Sequence, residues 1–285
     1  MTIRGFRQTA VHDLAEIYGP QEASNLTYIL LEWITGYSKT SLALNLEMEL
    51  GEAESSILLE KISELKQNKP VQYITGSAWF YGFEFKVNEQ VLIPRPETEE
   101  LVHWIHEDNN EIEGARILDI GTGSGCIAVS LGKILKDPII AAIDLSPGAL
   151  AIAIRNAVAH NTGIEFVLMD VLDREKWKEL GNFDIIVSNP PYVRLSEKRA
   201  MKPNVLDYEP HSALFVKDED PLLYYRAISG LAREKLNSNG SVYLEINEKL
   251  GEEVVALFQE NGFIDVELRK DMHGKDRLVK AFTLR

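Results

Sequence analysis

From Ala115 onward, short apolar runs rich in β-branched residues alternate with segments of helical period, and this alternation leaves few folds open. The strand candidates are Ile117–Ile120, Ile139–Ile143, Ile164–Met169, Phe183–Ser188 and Ser241–Ile246. Helical segments lie between them at Ile127–Leu135, Pro147–His160 and Leu222–Leu236. Runs that are apolar throughout, rather than alternating, suit strands buried on both faces. The order strand, helix, strand then means a parallel sheet with helices on both sides. Two further strands, Phe263–Arg269 and Arg277–Leu284, close the chain. Their link, Asp271 to Asp276, is a short polar turn, so this last pair is antiparallel. The predicted fold class is α/β: a seven-stranded, mostly parallel sheet with an antiparallel last strand.

The chain ahead of this sheet has a different period. Residues 5 to about 68 read as a small helical bundle. Leu14, Ile17 and Tyr18 sit at helical spacing before Gly19-Pro20, which ends one helix and starts the next. Leu26, Ile29, Leu30, Trp33 and Ile34 form the second stripe, Leu42–Leu50 a shorter helix, and Ile57–Leu65 a fourth that stops at Lys69-Pro70. Between Tyr73 and Pro94 the period falls to 2, and Val87–Val91 reads as a tight hairpin. Pro96 and the acids after it suit the start of a helix through Leu101, Val102 and Ile105. The expected domains are a bundle over 1–72 that docks a substrate, a β-hairpin connector over 73–95, and a ligand-binding domain over 96–285.

Bulk properties narrow the function. The chain of 285 residues carries a formal net charge of −14, which argues against a surface built to hold duplex phosphates. No direct DNA binding is expected, whereas a small anionic ligand or a protein with a basic face remains open. The single cysteine, Cys126, permits no intrachain disulfide. No apolar run approaches the ~20 residues that span a bilayer, and the start has no apolar signal core. The expectation is a cytoplasmic protein without a membrane partner. His103 and His106 lie one turn apart without a third ligand, so no metal is expected.

The chemistry concentrates where the fourth strand ends, in Ser188-Asn189-Pro190-Pro191-Tyr192. Two prolines lack backbone N–H donors, hold φ near −65° and push the residue before each into extended geometry. The turn is stiff, and the carbonyls of Asn189 and Pro190 stay free of a following helix. Asn189 adds a side-chain acceptor and Tyr192 a flat face. A planar amino group would find acceptors for both its hydrogens here, with an aromatic wall beside it.

A second cluster follows the first strand: Asp119-Ile120-Gly121-Thr122-Gly123-Ser124-Gly125. Glycines let the backbone turn sharply and approach a ligand. A dinucleotide site wants G-x-G-x-x-G, but the third expected glycine falls at Cys126. The spacing here favours a nucleoside without pyrophosphate, whose charged amine an acid such as Asp119 could hold. Asp144 ends the second strand, where an acid accepts from both hydroxyls of a ribose. Capping of the helix after Ser146-Pro147 is the alternative role for it. Leu145 follows in the same turn, and Asp170 and Val171 end the third strand, where an adenine ring would lie. Switch-point geometry puts these strand ends on one rim with Asn189.

Leu92 to Glu99, Asp119 to Gly125, Ser188 to Tyr192, and Tyr208-Glu209-Pro210 with Ala213-Leu214 together resemble the HemK/PrmC class. These are S-adenosylmethionine-dependent methyltransferases that modify a glutamine of peptide chain release factors. The resemblance covers nearly the whole chain. It implies a Rossmann-like methyltransferase sheet, S-adenosyl-L-methionine as cofactor with S-adenosyl-L-homocysteine as product, and release factors as partners. It also implies that Gly121–Gly125, Asp144, Val171 and Asn189 line the cofactor site, and that Asn189, Pro190, Pro191 and Tyr192 hold the glutamine amide. Two positions depart from the pattern. Asn247 stands where the family usually has glycine, and Val171 where some members carry an aromatic residue.

The implied reaction is direct displacement at the methyl carbon of a sulfonium by an amide nitrogen. Acceptors at Asn189 Oδ1 and the Pro190 carbonyl would orient that nitrogen and stabilise the charge growing on it. A nucleic-acid amino-methyltransferase acting on adenine or cytosine shares the quartet but fits the acidity poorly. A nicotinamide-dependent dehydrogenase shares the fold but lacks the third glycine and a placed proton donor.

Overall fold

Gly19 and Pro20 separate the first two helices in the computed structural model of the chain, in which residues 1–283 are described. Helix α1 (Ile3–Tyr18) is capped by Thr2, whose hydroxyl accepts from the Gly5 N–H at 3.1 Å. Gly19 takes φ 78°, which ends that helix, and Pro20 opens α2 (Pro20–Thr35). Helices α3 (Lys39–Leu44), α4 (Glu52–Lys66) and α5 (Val71–Thr75) complete the set. Phe6, Leu14, Leu30, Leu58 and Ile62 meet in their common core. The helix expected over Leu42–Leu50 is shorter than its apolar spacing suggested. It stops at Leu44 because the next residues turn back, and Glu49 bridges to Thr2 in antiparallel pairing.

The chain divides into two compact units, the first comprising Met1–Ser77 together with Lys202–Tyr208. That later segment carries α9 (Pro203–Leu206), and the Tyr208 hydroxyl donates to the Gln67 carbonyl at 2.9 Å.

The second unit begins with the hairpin. Its strands are β1 (Ser77–Phe80) and β2 (Phe83–Lys86), so the turn falls at Tyr81-Gly82 and not at Val87–Val91 as expected. Tyr81 and Gly82 have φ of 50° and 80°, the pair of positive values that a two-residue turn matching strand twist requires. The side chain of Asn156, on α8 (Pro147–Ala159), ties this hairpin to the glycine-rich turn. Its Oδ1 accepts from Lys86 N–H at 2.8 Å, and its Nδ2 donates to the carbonyls of Lys86 and Ser124 at 3.0 and 2.8 Å.

The sheet is built from β3 (Arg116–Ile120), β4 (Ile139–Asp144), β5 (Ile164–Leu168), β6 (Phe183–Ser188), β9 (Leu236–Glu245), β10 (Ile264–Lys270) and β11 (Asp276–Phe282). Their order is β10-β11-β9-β6-β3-β4-β5, and β11 alone runs against its neighbours. The fold class expected above is the one found; Leu284, placed in the last strand, lies outside the described residues. A separate two-residue parallel pair joins β7 (Val193–Arg194) to β8 (Phe215–Val216). Helices α6 (Pro96–Asn109), α7 (Cys126–Ile134), α10 (His211–Leu214), α11 (Leu223–Lys235) and α12 (Gly251–Glu260) fill out the unit. Two cores flank the sheet, one holding Trp177, Tyr225 and Phe258, the other Phe85, Trp104 and Val129. Helix α12 was not anticipated, although Val254, Leu257 and Phe258 supply a buried stripe at helical spacing.

Between β5 and β6 the chain makes only a 3-10 turn over Arg174–Glu179, anchored by Trp177 Nε1 donating to the Val171 carbonyl at 2.9 Å. No described helix is long and apolar enough to cross a membrane.

Replacing Asn156 with alanine strands the Lys86 N–H and two carbonyls. Of these the Ser124 carbonyl is buried and the two Lys86 groups are partly so, and one unsatisfied buried group costs about 1–3 kcal/mol. Urea unfolding of Asn156→Ala is expected to report a loss at least that large. A change within about 0.5 kcal/mol, the usual range for surface positions, would show that the hairpin is held by packing alone.

Candidate active site

Strands β3 and β6 are neighbours, and the chain crosses from β3 to β4 on one side and from β6 to β9 on the other, so the connections leaving their two carboxyl ends diverge and open a crevice there. Register pairs Ile120 with Ser188, and the Ser188 hydroxyl donates to the Ile120 carbonyl at 2.7 Å. The glycine-rich turn and Asn189 therefore begin side by side. A cavity open to solvent occupies this crevice.

The turn itself is shaped by backbone that only glycine adopts freely. Gly121 and Gly123 have φ of 72° and 55°, with nothing within 4 Å of where a Cβ would stand. Gly125 has φ 79°, and a Cβ there would meet the Ala153 Cβ at 3.1 Å, so it also lets α8 approach. Gly121 and Thr122 both donate to the Ile143 carbonyl, at 2.9 and 3.1 Å.

Two acids brace the turn in different ways. Asp144 lines the cavity; its Oδ2 accepts from Gly123 N–H and its Oδ1 from Ser146 N–H, each at 2.9 Å. It does not cap α8, because Ser146 does so by accepting from Ala149 N–H at 3.2 Å. Burial raises the Asp144 pKa, against those two N–H groups that favour the charge. Asp119 is wholly buried and stands behind the cavity wall. Its Oδ2 accepts from the Thr122 hydroxyl at 2.6 Å, while Oδ1 has no partner. Burial pushes its pKa up to about 7, with the Asp144 charge adding to the effect and the Thr122 bond opposing it.

Of the other residues predicted from sequence, Gly121, Thr122, Gly123, Ser124, Leu145, Asp170 and Val171 are brought to the cavity. So are Asn189, Pro190 and Pro191, whereas Gly125 is not. Tyr192 is also absent from the wall: its hydroxyl donates to Glu245 Oε1 at 2.8 Å, and burial raises its pKa far above the usual phenol value. Glu245 ends β9, completely enclosed, and its Oε2 accepts from the Thr98 hydroxyl at 2.6 Å. Thr98 Oγ1 in turn accepts from Asn189 Nδ2 at 3.1 Å.

Thr98 and Glu245 are the residues that sequence reasoning did not single out. Arg95 and Glu209 form a second such pair. Glu209, buried, accepts from Arg95 Nη2 at 2.7 Å and from Ile93 N–H at 3.2 Å, which fixes the loop before α6. The acids within Pro94–Glu99 and Tyr208–Pro210 carried the only signal.

The two departures have clear surroundings. Asn247 Nδ2 donates to the Tyr192 carbonyl at 3.0 Å and to Glu197 Oε2 at 2.8 Å, so its side chain holds the far end of the proline turn. Burial disfavours the Glu197 charge, but Arg194, Lys249 and Asn247 outweigh it and hold the pKa down at about 2. Beside Val171 the cavity wall includes Tyr224, an aromatic side chain from α11. His103 faces Glu107 at 3.5 Å, and among the described residues no group of three or more His, Cys, Asp or Glu could hold a metal.

Comparison with known proteins bears on this arrangement. Residues 6–76 match the family model described as the PrmC N-terminal domain, and residues 98–206 the methyltransferase small domain. The release factor glutamine methyltransferase of Flavobacterium psychrophilum is 45% identical over 284 residues, 99% of each chain. That of Bacteroides thetaiotaomicron is 43% identical over 268 residues, 94% of this chain and 95% of its own. A methyltransferase structure from Pyrococcus furiosus, 17% identical, superposes with a TM-score of 0.52 over 79% of this chain and 99% of its own, and shares the fold. The chain belongs to the release factor glutamine methyltransferase family.

Proposed function

We propose that this protein transfers a methyl group from S-adenosyl-L-methionine to the side-chain nitrogen (N5) of a glutamine in peptide chain release factors. The observation that carries the reading is the shared crevice: Asn189, Pro190 and Pro191 line the same cavity as the glycine turn and Asp144. A methyl donor bound along the turn and an amide held by the prolines would meet there.

The residues suit that cofactor. The open space over Gly121 and Gly123 admits close approach of a ligand. Each Asp144 oxygen takes one N–H and keeps a lone pair for a ribose hydroxyl. Val171, Tyr224 and Ile228 offer an apolar and aromatic wall for a base. Asp119, buried, steadies the turn by accepting from the Thr122 hydroxyl. When bound, the cofactor supplies an electrophilic methyl on a sulfonium.

The chain's own groups act on the amide. Its nitrogen is a weak nucleophile because its lone pair is shared with the carbonyl. Among the described residues no hydrogen bond takes Asn189 Oδ1 or the carbonyls of Asn189 and Pro190. Oδ1 and the Pro190 carbonyl would accept the two amide hydrogens and stabilise the positive charge that grows on nitrogen. No base need act before transfer. Tyr192 contributes by holding the turn to Glu245. The N-terminal helices would dock the protein substrate, through exposed apolar side chains such as Ile29 and Trp33 on one face of α2. The protein would act in the cytoplasm, with no metal and no direct DNA contact in the reaction.

Label transfer, substitution and ligand-induced stability test this reading. Label from methyl-labelled S-adenosylmethionine is expected to appear on release factor and not on duplex DNA; the reverse would move the protein to the nucleic-acid enzymes. Asn189→Ala is expected to slow transfer by about 10²–10³-fold with the fold intact, and an unchanged rate would make the quartet a mere turn.

Asp144→Ala is expected to weaken S-adenosylhomocysteine by the ~1.5–3 kcal/mol of a charge-assisted bond. The wild type gains about 2.7 kcal/mol of stability at a hundredfold excess of ligand over Kd. A thermal shift with NAD and none with S-adenosylhomocysteine would contradict the cofactor assignment. For docking, Trp33→Ser is expected to raise KM for release factor without changing methylation of a short glutamine peptide. Equal KM values would remove α2 from that role.

A further inference from the structure

Asn189 can serve as an acceptor only if its amide faces the right way, and an amide alone has no preference between its two ends. The hydrogen count along the chain of contacts decides it. Glu245 accepts at both oxygens, from Tyr192 at Oε1 and from Thr98 at Oε2. A carboxylate has no hydrogen to give, so the single Thr98 proton is committed to it. Thr98 Oγ1 is left as an acceptor, and the Asn189 atom 3.1 Å away must be the donor Nδ2. Oδ1 then points away from Thr98, free for a ligand in the cavity that Asn189 lines.

We propose that buried Glu245, acting through Thr98, is the positioning residue that locks Asn189 with its oxygen toward the substrate, and so makes the site selective for a hydrogen-donating amide. This deepens the reading given above and rests on it. The carboxylate is placed to act through its two hydroxyl partners, Thr98 and Tyr192, and not on the substrate directly. It is fully enclosed, 147 residues from Thr98 in sequence, and does not touch the cavity. Opposing influences act on its charge. Burial raises the Glu245 pKa and Glu97 on α6 adds to this, while Thr98, Tyr192 and Arg277 favour ionisation. Arg277, on β11, is itself fixed by donating to the Ile246 carbonyl and to Asp271, both at 3.2 Å.

The same count predicts what a neutral Glu245 would do. With a donor facing Thr98, the threonine proton turns to Asn189, which must present Oδ1 to it. The amide inverts and offers an NH₂ group to an NH₂ group. Positioning of Tyr192 is affected by the same substitution, so the tests separate the two.

In the full-length enzyme with intact release factor, Glu245→Gln and Thr98→Val are each expected to lower kcat by about 10- to 100-fold, the scale of a misplaced catalytic group. The S-adenosylhomocysteine thermal shift and KM for release factor are expected to stay within about twofold, below the tenfold of one 1.4 kcal/mol step. Thr98→Ser, which keeps the hydroxyl, is expected to recover most of the rate lost in Thr98→Val.

The decisive arm is a double-mutant cycle on Asn189→Asp. An aspartate accepts at either oxygen, so its orientation no longer matters. The penalty for Glu245→Gln is expected to shrink to under about threefold in that background, a non-additivity expected only for coupled residues. An equal penalty in both backgrounds, or a Thr98→Val enzyme as fast as wild type, would overturn the proposal. Should Asn189→Asp be inactive, failure of Thr98→Ser to outperform Thr98→Val would overturn it instead. A wild type that does not methylate release factor would refute the underlying function, a separate result.

Discussion

The pairing of β3 with β6 in parallel register is the constraint on which the site depends. Parallel strands need crossovers, and here the one from β3 leads to β4 while the one from β6 leads the opposite way along the sheet, to β9. The two carboxyl ends are thus open at one place, joined by the Ser188 hydroxyl on the Ile120 carbonyl. From the first end runs a turn of glycines whose backbone invites close approach. From the second runs a turn of prolines whose carbonyls have no helix to join. One offers space for close approach, the other acceptors and rigidity. A reaction between an electrophile lying on the first and an amide held by the second is what such a junction can support.

Burying carboxylates around this junction is costly, and the chain offsets the cost unevenly. Glu245 receives two hydroxyl donors and the nearby charge of Arg277. Glu209 receives Arg95 and a backbone N–H. Asp119 receives the Thr122 hydroxyl and a weaker contribution from the Ala128 backbone N–H, and its Oδ1 lacks a partner of full hydrogen-bond geometry. A half-satisfied buried acid is poor for stability, since such a group costs several kcal/mol unless paired. The exception sits directly beneath the glycine turn, where polar strain concentrates in ligand sites.

Much of the sheet was legible because its strands are buried on both faces, so Ile117–Ile120 and Phe183–Ser188 read as unbroken apolar runs. The hairpin misled because Phe80 through Phe85 alternates as one strand would, and a two-residue turn at Tyr81-Gly82 leaves that alternation intact. The glycine turn, Asp144 and Asn189 were legible from local chemistry, since each lies within a few residues of its strand end. Thr98 and Glu245 were not. They are 91 and 56 residues from Asn189, and in sequence a glutamate at a strand end looks like any surface acid. Tyr192 was read as an open aromatic wall because nothing local announced that its hydroxyl would reach Glu245.

The most direct measurement is a crystal structure of the enzyme with S-adenosylhomocysteine and a glutamine-bearing segment of release factor. The account predicts the glutamine nitrogen at about 2.7–3.2 Å, hydrogen-bond distance, from both Asn189 Oδ1 and the Pro190 carbonyl, with Asn189 Nδ2 still on Thr98. A glutamine side chain held elsewhere in the cavity, with Asn189 turned away from it, would contradict the account.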